Sequence, residues 1–153
     1  MLSIQRLENQ VPSVAEQIYA LLAPAHAQES IAIGAAATSQ HSPQGIAAST
    51  EVHIGAFEDD ELVGFIVVGP DDEQAQLAIT LLVVHVAHQR RGIASRLVSH
   101  VVVAGSETTF AVVVTKENLA ALALYKTLGF HVYRHGAVGQ DEVPVLKLRA
   151  SAP

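Results

Sequence analysis

The strongest constraint on what this chain can fold into is the run Leu77-Ala78-Ile79-Thr80-Leu81-Leu82-Val83-Val84, which is apolar almost without a break. Eight residues bounded by turn signals suit a strand. A strand that is apolar at successive positions must be covered on both faces. The run therefore predicts a sheet with this strand in its middle and helices on either side. Its apolar character extends to Val86 at most and is interrupted by Thr80 and His85, far short of the roughly 20 residues that span a bilayer.

The flanking segments fill in that sheet. Residues 2–7 alternate apolar and polar, predicting a first strand. Pro12-Ser13 precedes Val14, Ile18, Leu21 and Leu22 at helical spacing, with Ser13 and Glu16 as a capping pair and Pro24 as the stop. Residues 25–50 carry little periodicity, apart from a short helix expected at Ser42-Pro43. Val52, Ile54 and Ala56 alternate, an acidic turn follows, and 62–68 and 77–84 are separated by the turn Gly69-Pro70-Asp71-Asp72, which together predict antiparallel hairpins. Residues 92–104 place Ile93, Leu97, Val101 and Ala104 on one helical stripe. A strand at 110–114 precedes a helix at 118–128, closed by Gly129 where a left-handed residue is needed. Strands at 130–133 and 143–148 complete a mixed α/β sheet in one domain over 1–153, with no repeat and no linker.

Half of the residues are hydrophobic, enough for a core without staples. There is no cysteine, which excludes a disulfide scaffold, a cysteine-based zinc site and a thiol nucleophile, and is compatible with a reducing cytoplasm. The first residues lack a basic stretch followed by an apolar run, so no signal peptide is expected. The net charge of −6 argues against nucleic acid as a partner. Its distribution says more. One of nine basic residues and eleven of fifteen acidic ones precede position 90, a net −10, and the remainder carries +4. A basic C-terminal part suits an anionic ligand.

The place for such a ligand is the turn that leaves the central strand, Gln89-Arg90-Arg91-Gly92-Ile93-Ala94-Ser95, which opens a helix. A helix start offers unpaired N–H groups and a partial positive charge. Gly92 and Ala94 permit close backbone approach, Arg90 and Arg91 add charge, and Ser95 adds a hydroxyl. No Gly-Lys-Ser/Thr follows, so the turn is not a P-loop, and the glycine spacing of a dinucleotide fold is missing.

The pattern Gln/Arg-x-x-Gly-x-Gly/Ala resembles the cofactor signature of the GNAT superfamily of N-acetyltransferases. Asn118, Ala121, Tyr125 and Gly129-Phe130 continue the family pattern on the next helix. The resemblance covers the order of elements from residue 2 to about 149 and departs at Val86, where many members carry proline. It implies a mostly antiparallel sheet of six to seven strands with helices on both faces, and acetyl-CoA as co-substrate. Pyrophosphate would sit on residues 89–95 and pantetheine on the backbone of Val84 and Val86, with Asn118 beside it as ligand or helix cap. A backbone N–H at a strand bulge near Val84 would stabilise the oxyanion, and Tyr125 would protonate the departing sulfur. The acceptor would be the amine of a small molecule or peptide, attacking in a ternary complex. Relatives commonly dimerise.

The resemblance also exposes a gap. Many relatives place a Glu on the strand before the turn, whereas 76–82 contain no carboxylate, with Ala78 or Thr80 near the relevant place. Glu51, His53 and His85 are candidate substitutes, each also readable as an ordinary strand or loop residue. A CoA-sensing module without catalysis, or transfer to a hydroxyl, are the alternatives. His85 and His88 are three apart on a turn without a third ligand, and no metal site is expected.

Overall fold

A computed structural model describes residues 1–27, 42–105 and 108–151. Residues 28–41, the larger part of the unpatterned segment, and with them His41, lie outside the described residues. The strands are β1 (Leu2–Arg6), β2 (Val52–Glu58), β3 (Glu61–Pro70), β4 (Gln76–Val84), β5 (Thr109–Thr115), β6 (His131–Val138) and β7 (Val143–Ser151). The helices are α1 (Pro12–Ala27), α2 (Pro43–Ala48), α3 (Ile93–Ala104) and α4 (Leu119–Thr127), and a 3₁₀ turn covers Val86–His88. The seven strands form one sheet in the order β1-β2-β3-β4-β5-β7-β6. Only β4 and β5 are parallel; every other neighbouring pair is antiparallel. The apolar run 77–84 is thus the middle strand, as expected.

Both faces are covered around it. On one, Ile93, Leu97, Val98 and Val101 of α3 and Leu122 and Tyr125 of α4 pack on Ile66, Val112 and Leu148. On the other, Ala15, Ile18 and Leu22 of α1 and Ile46 of α2 pack on Phe65, Val67, Leu81 and Val83. The stripe on α3 closes with Val98 rather than Ala104, which is exposed. A two-residue turn at Asp59-Asp60, both at positive φ, joins β2 to β3 and confirms the acidic hairpin.

Three expected boundaries move. The N–H of Ala15 bonds Val11 O, so α1 starts at Pro12 and Ser13 lies inside the helix rather than capping it. Pro24 does not end α1, which continues to Ala27. The carbonyl that loses its partner belongs to Ala20, an exposed residue, so the lost bond does not strand a group in the core. Gly69-Pro70 belongs to β3 rather than to the turn, pairing with Ala78 and Leu77.

Candidate active site

The middle of the sheet opens where its parallel pair ends. β4 pairs with β5 from Gln76 opposite Thr109 to Ile79 opposite Val112, and no further, although β4 runs on to Val84 and β5 to Thr115. On its other side, the register of β4 against β3 steps from Ile79 opposite Val68 to Leu81 opposite Val67, so Thr80 is an extra, bulged residue. The bulge reverses the alternation of faces. Ile79 packs under α3 and α4, whereas Leu81 and Val83 pack under α1. An inserted residue also bends and twists its strand, and here β4 leaves β5 at the bulge. The bulge therefore lies at Thr80, four residues before the position near Val84 that the sequence suggested. A cavity of about 70 Å³ fills the parting, lined among others by Ile79, Leu82, Val112, Val114, Asn118 and Tyr125.

Backbone groups on the far part of β4 face this notch. The N–H of His85 bonds Val63 O on β3 at 2.8 Å, so by strand alternation the groups of Val84, and of Leu82 before it, point to the open side. Gln89 Nε2 donates to Val84 O at 3.3 Å, linking the cofactor-type turn to the strand end. Val86 does not continue the strand; it begins the 3₁₀ turn and is 61% exposed. Leu82, rather than Val86, shares the orientation of Val84. The apolar run concealed this, because only the bulge tells which residues face which side.

The turn itself is built as a seat. Arg90 holds φ at 66° and Gly92 at 77°, both left-handed, with both residues exposed. Gly92 is the N-cap of α3 and has no side chain with which to cap it, and the first helical bond runs from Arg96 N to Gly92 O. The N–H groups of Ile93, Ala94 and Ser95 are left for an outside acceptor. A Cβ on Gly92 would meet nothing within 4 Å. The glycine is thus required by its φ, and the space beside it is open. With Arg90 and Arg91 alongside, the geometry is that of an anion site. The side chain of Ile93 belongs to the core, so only its backbone takes part.

Two predicted residues of α4 meet at the notch. Asn118 caps the helix, its Oδ1 accepting from Ala121 N at 3.1 Å, and lines the cavity. Tyr125 lines the same cavity while 4% exposed, its ring edge-on to Phe130 at 5.2 Å. Gly129 at φ 94° ends α4 and lets Phe130 N bond Tyr125 O at 2.9 Å, which fixes both rings. Burial pushes the Tyr125 phenol well above its ordinary value.

A family model described as Acetyltransferase (GNAT) family matches residues 15–130. The chain belongs to the GNAT acetyltransferase family. Solved structures agree on the fold. An aminoglycoside 6′-acetyltransferase type Ii has a TM-score of 0.76 at 18% identity, covering 99% of this chain and 97% of that one. The Salmonella typhimurium protein yncA, with its cofactor acetyl-CoA, gives 0.74 at 15% over 100% and 95%. The ribosomal-protein-S18-alanine N-acetyltransferase from Escherichia coli gives 0.72 at 16% over 99% and 94%. Among curated proteins, none matches the chain in sequence. As a GNAT family member the chain is an acyltransferase, and the seven-stranded mixed sheet bears out the expected fold.

The three titratable residues considered in place of a β4 carboxylate end up in different surroundings. His53 is fully buried on β2, its Nδ1 3.1 Å from Glu51 O, and burial lowers its pKa. His85 lies beyond the end of β4, exposed, with Nδ1 accepting from Ala87 N at 3.0 Å. Glu51 reaches β4 itself: its Oε2 accepts from Thr80 Oγ1 at 2.7 Å. Among the described residues, no group of three or more His, Asp and Glu could hold a metal ion, and no helix is long and apolar enough to cross a membrane.

Proposed function

We propose that this chain is one acetyltransferase domain over residues 1–153 that transfers an acetyl group from acetyl-CoA to the amine of a small molecule or peptide. The observation that carries this reading is the parting of β4 from β5 next to the uncapped start of α3. A strand-lined slot ending at an anion seat suits the two ends of an acyl-CoA. The residues present fit that molecule. The backbone N–H groups of Gly92, Ile93, Ala94 and Ser95, flanked by Gln89, Arg90 and Arg91, would hold the pyrophosphate. Leu82 offers its backbone and Val84 its N–H to the pantetheine arm, as an added strand would need, and Asn118 keeps Nδ2 for its amides.

Acetyl-CoA supplies an activated acyl group. The chain's own contribution is to place it and to handle protons. Backbone N–H groups of β4 at the bulge would stabilise the oxyanion, being fixed before reaction and shielded from water. Tyr125 would give its proton to the leaving sulfur. A raised phenol pKa makes that transfer harder against a thiol of about 8.5 in water. The same dry surroundings disfavour a free thiolate, which increases the sulfur's demand for that proton.

Acetyl-CoA consumption across a panel of amines, beside calorimetric binding, tests this. Gly92→Glu puts a side chain and a negative charge into the open seat, and binding is expected to fall at least about a hundredfold. Unchanged affinity would remove the turn from the site. Tight binding without turnover on any amine would favour a CoA-sensing module, the reading suggested by a β4 without carboxylate.

A further inference from the structure

We infer that Glu51, the residue that leads into β2, is the carboxylate that takes the proton from the incoming amine. The inference rests on the amine-acylating function proposed above. β2 and β4 are not neighbours in the sheet, since β3 runs between them. The Glu51 side chain nonetheless crosses β3, because the residue beneath it is Gly69. A Cβ placed there would stand 2.6 Å from Glu51 Oε2 and 2.9 Å from its Cγ. The missing side chain is the trough in which the carboxylate lies.

What it reaches is the bulge. Thr80 Oγ1 donates to Glu51 Oε2 at 2.7 Å and approaches Val67 O at 3.3 Å. Thr80 follows Ile79, the last residue at which β4 still pairs with β5, so the carboxylate is anchored where the two strands part. The bulge makes the contact: it is the inserted residue itself that presents its hydroxyl to Glu51. β4 supplies a threonine at this place, and the residue leading into β2 supplies the charge.

The other groups considered for the task are excluded by position. His53, two residues further along the chain, is fully buried, so no acceptor can meet it. His85 is five residues beyond Thr80, about 16 Å along a strand at roughly 3.3 Å per residue.

The step balances as follows. Glu51 takes one proton from the arriving ammonium and passes it to water. The freed lone pair forms the C–N bond as the C–S bond breaks. The second proton leaves the nitrogen and one is gained by the sulfur, giving amide, thiol and one released proton.

The test compares wild type with Glu51→Gln and Gly69→Ala across pH on an amine that wild type acetylates. Glu51→Gln is expected to lose about a hundredfold in kcat/KM at neutral pH. The loss should shrink as pH approaches the acceptor's own pKa, where the amine arrives neutral, while acetyl-CoA affinity and the melting temperature stay near wild type. A merely structural role gives a loss that does not depend on pH. Gly69→Ala keeps the charge but pushes it off Thr80, and should lose activity in the same pH-dependent way to a smaller extent. Equal wild-type and Glu51→Gln rates across pH overturn the role of Glu51 and leave amine acetylation standing. Acetyl-CoA binding by wild type without turnover on any amine overturns both readings together.

Discussion

Tyr125 meets two demands at once. Its ring is a core residue, wedged against Phe130, and it lines the notch, where the proton donor proposed above has to stand. Replacement by Phe keeps the ring and removes only the hydroxyl. We therefore expect Tyr125→Phe to lower kcat by at least about tenfold with acetyl-CoA affinity and thermal stability almost unchanged, read by steady-state kinetics beside calorimetry. Equal turnover would leave Tyr125 as a packing residue. At this scale the sequence was legible where local geometry is written in residue type at fixed spacing: Gly92 and Gly129 take left-handed turns, and Asn118 and Tyr125 line one cavity. It was not legible where function depends on distance across strands. Nothing in the chain order says that Glu51 and Thr80, 29 positions apart, share a hydrogen bond.

Elements were read well where periodicity or a special residue marks them. The continuous apolar run became the middle strand, and Gly129 became the left-handed residue behind α4. They were read less well where one residue changes the meaning of its neighbours. Thr80 was the one polar residue in the apolar run, yet polarity does not announce a bulge, and without the bulge Ile79, Leu81 and Val83 would share a face. The resemblance paired Val86 with Val84 as strand backbone for pantetheine, whereas the chain turns at His85. Gly129 offers the cleanest test of an element. Its Cβ would have open space, so Gly129→Ala costs only the left-handed backbone, about 1 kcal/mol. Thermal melts should show that loss. The changed end of α4 should also perturb Tyr125 and lower turnover more than a remote substitution of equal cost would. A loss of stability alone would separate the helix end from the site.

The whole molecule shows why the sheet parts at one end only. At the closed end, Lys147 of β7 reaches across β5 to the turn between β3 and β4, with Nζ 2.9 Å from Asp71 Oδ2 and 2.7 Å from Glu73 Oε2. Gln76 at the start of β4 donates to Asp71 at 2.7 Å and to Glu73 at 3.3 Å, Tyr133 donates to Glu73, and Arg149 stacks over the Tyr133 ring at 4.2 Å. This polar clamp holds β4 against β5 where they pair, while the bulge releases them beyond Ile79. The sequence marked only a turn at Asp71-Asp72, since an acidic turn gives no hint of a lysine 74 to 76 positions away. Burial alone would raise the Asp71 carboxyl, but hydrogen bonds from Lys147, Gln76 and the Glu73 N–H outweigh it and leave it below 3.8; for Glu73 the bonds from Lys147 and Tyr133 dominate and hold it below 4.5. Both folded values are depressed, so the stability they confer is present above the unfolded values and is lost as pH falls through the folded ones. Lys147→Met removes the cation and keeps most of the stem. It should cost on the order of 2 kcal/mol at pH 7, between an exposed and a buried ion pair. Urea unfolding from pH 7 to pH 2.5 should then show a smaller acid-induced loss in the variant than in wild type, because carboxylates without their lysine gain less from being charged. Parallel curves would mean that Lys147 acts by packing. If the clamp also sets the angle at which β4 leaves β5, the variant's acetyl-CoA affinity should fall with its stability at pH 7, although Lys147 lies outside the cofactor seat.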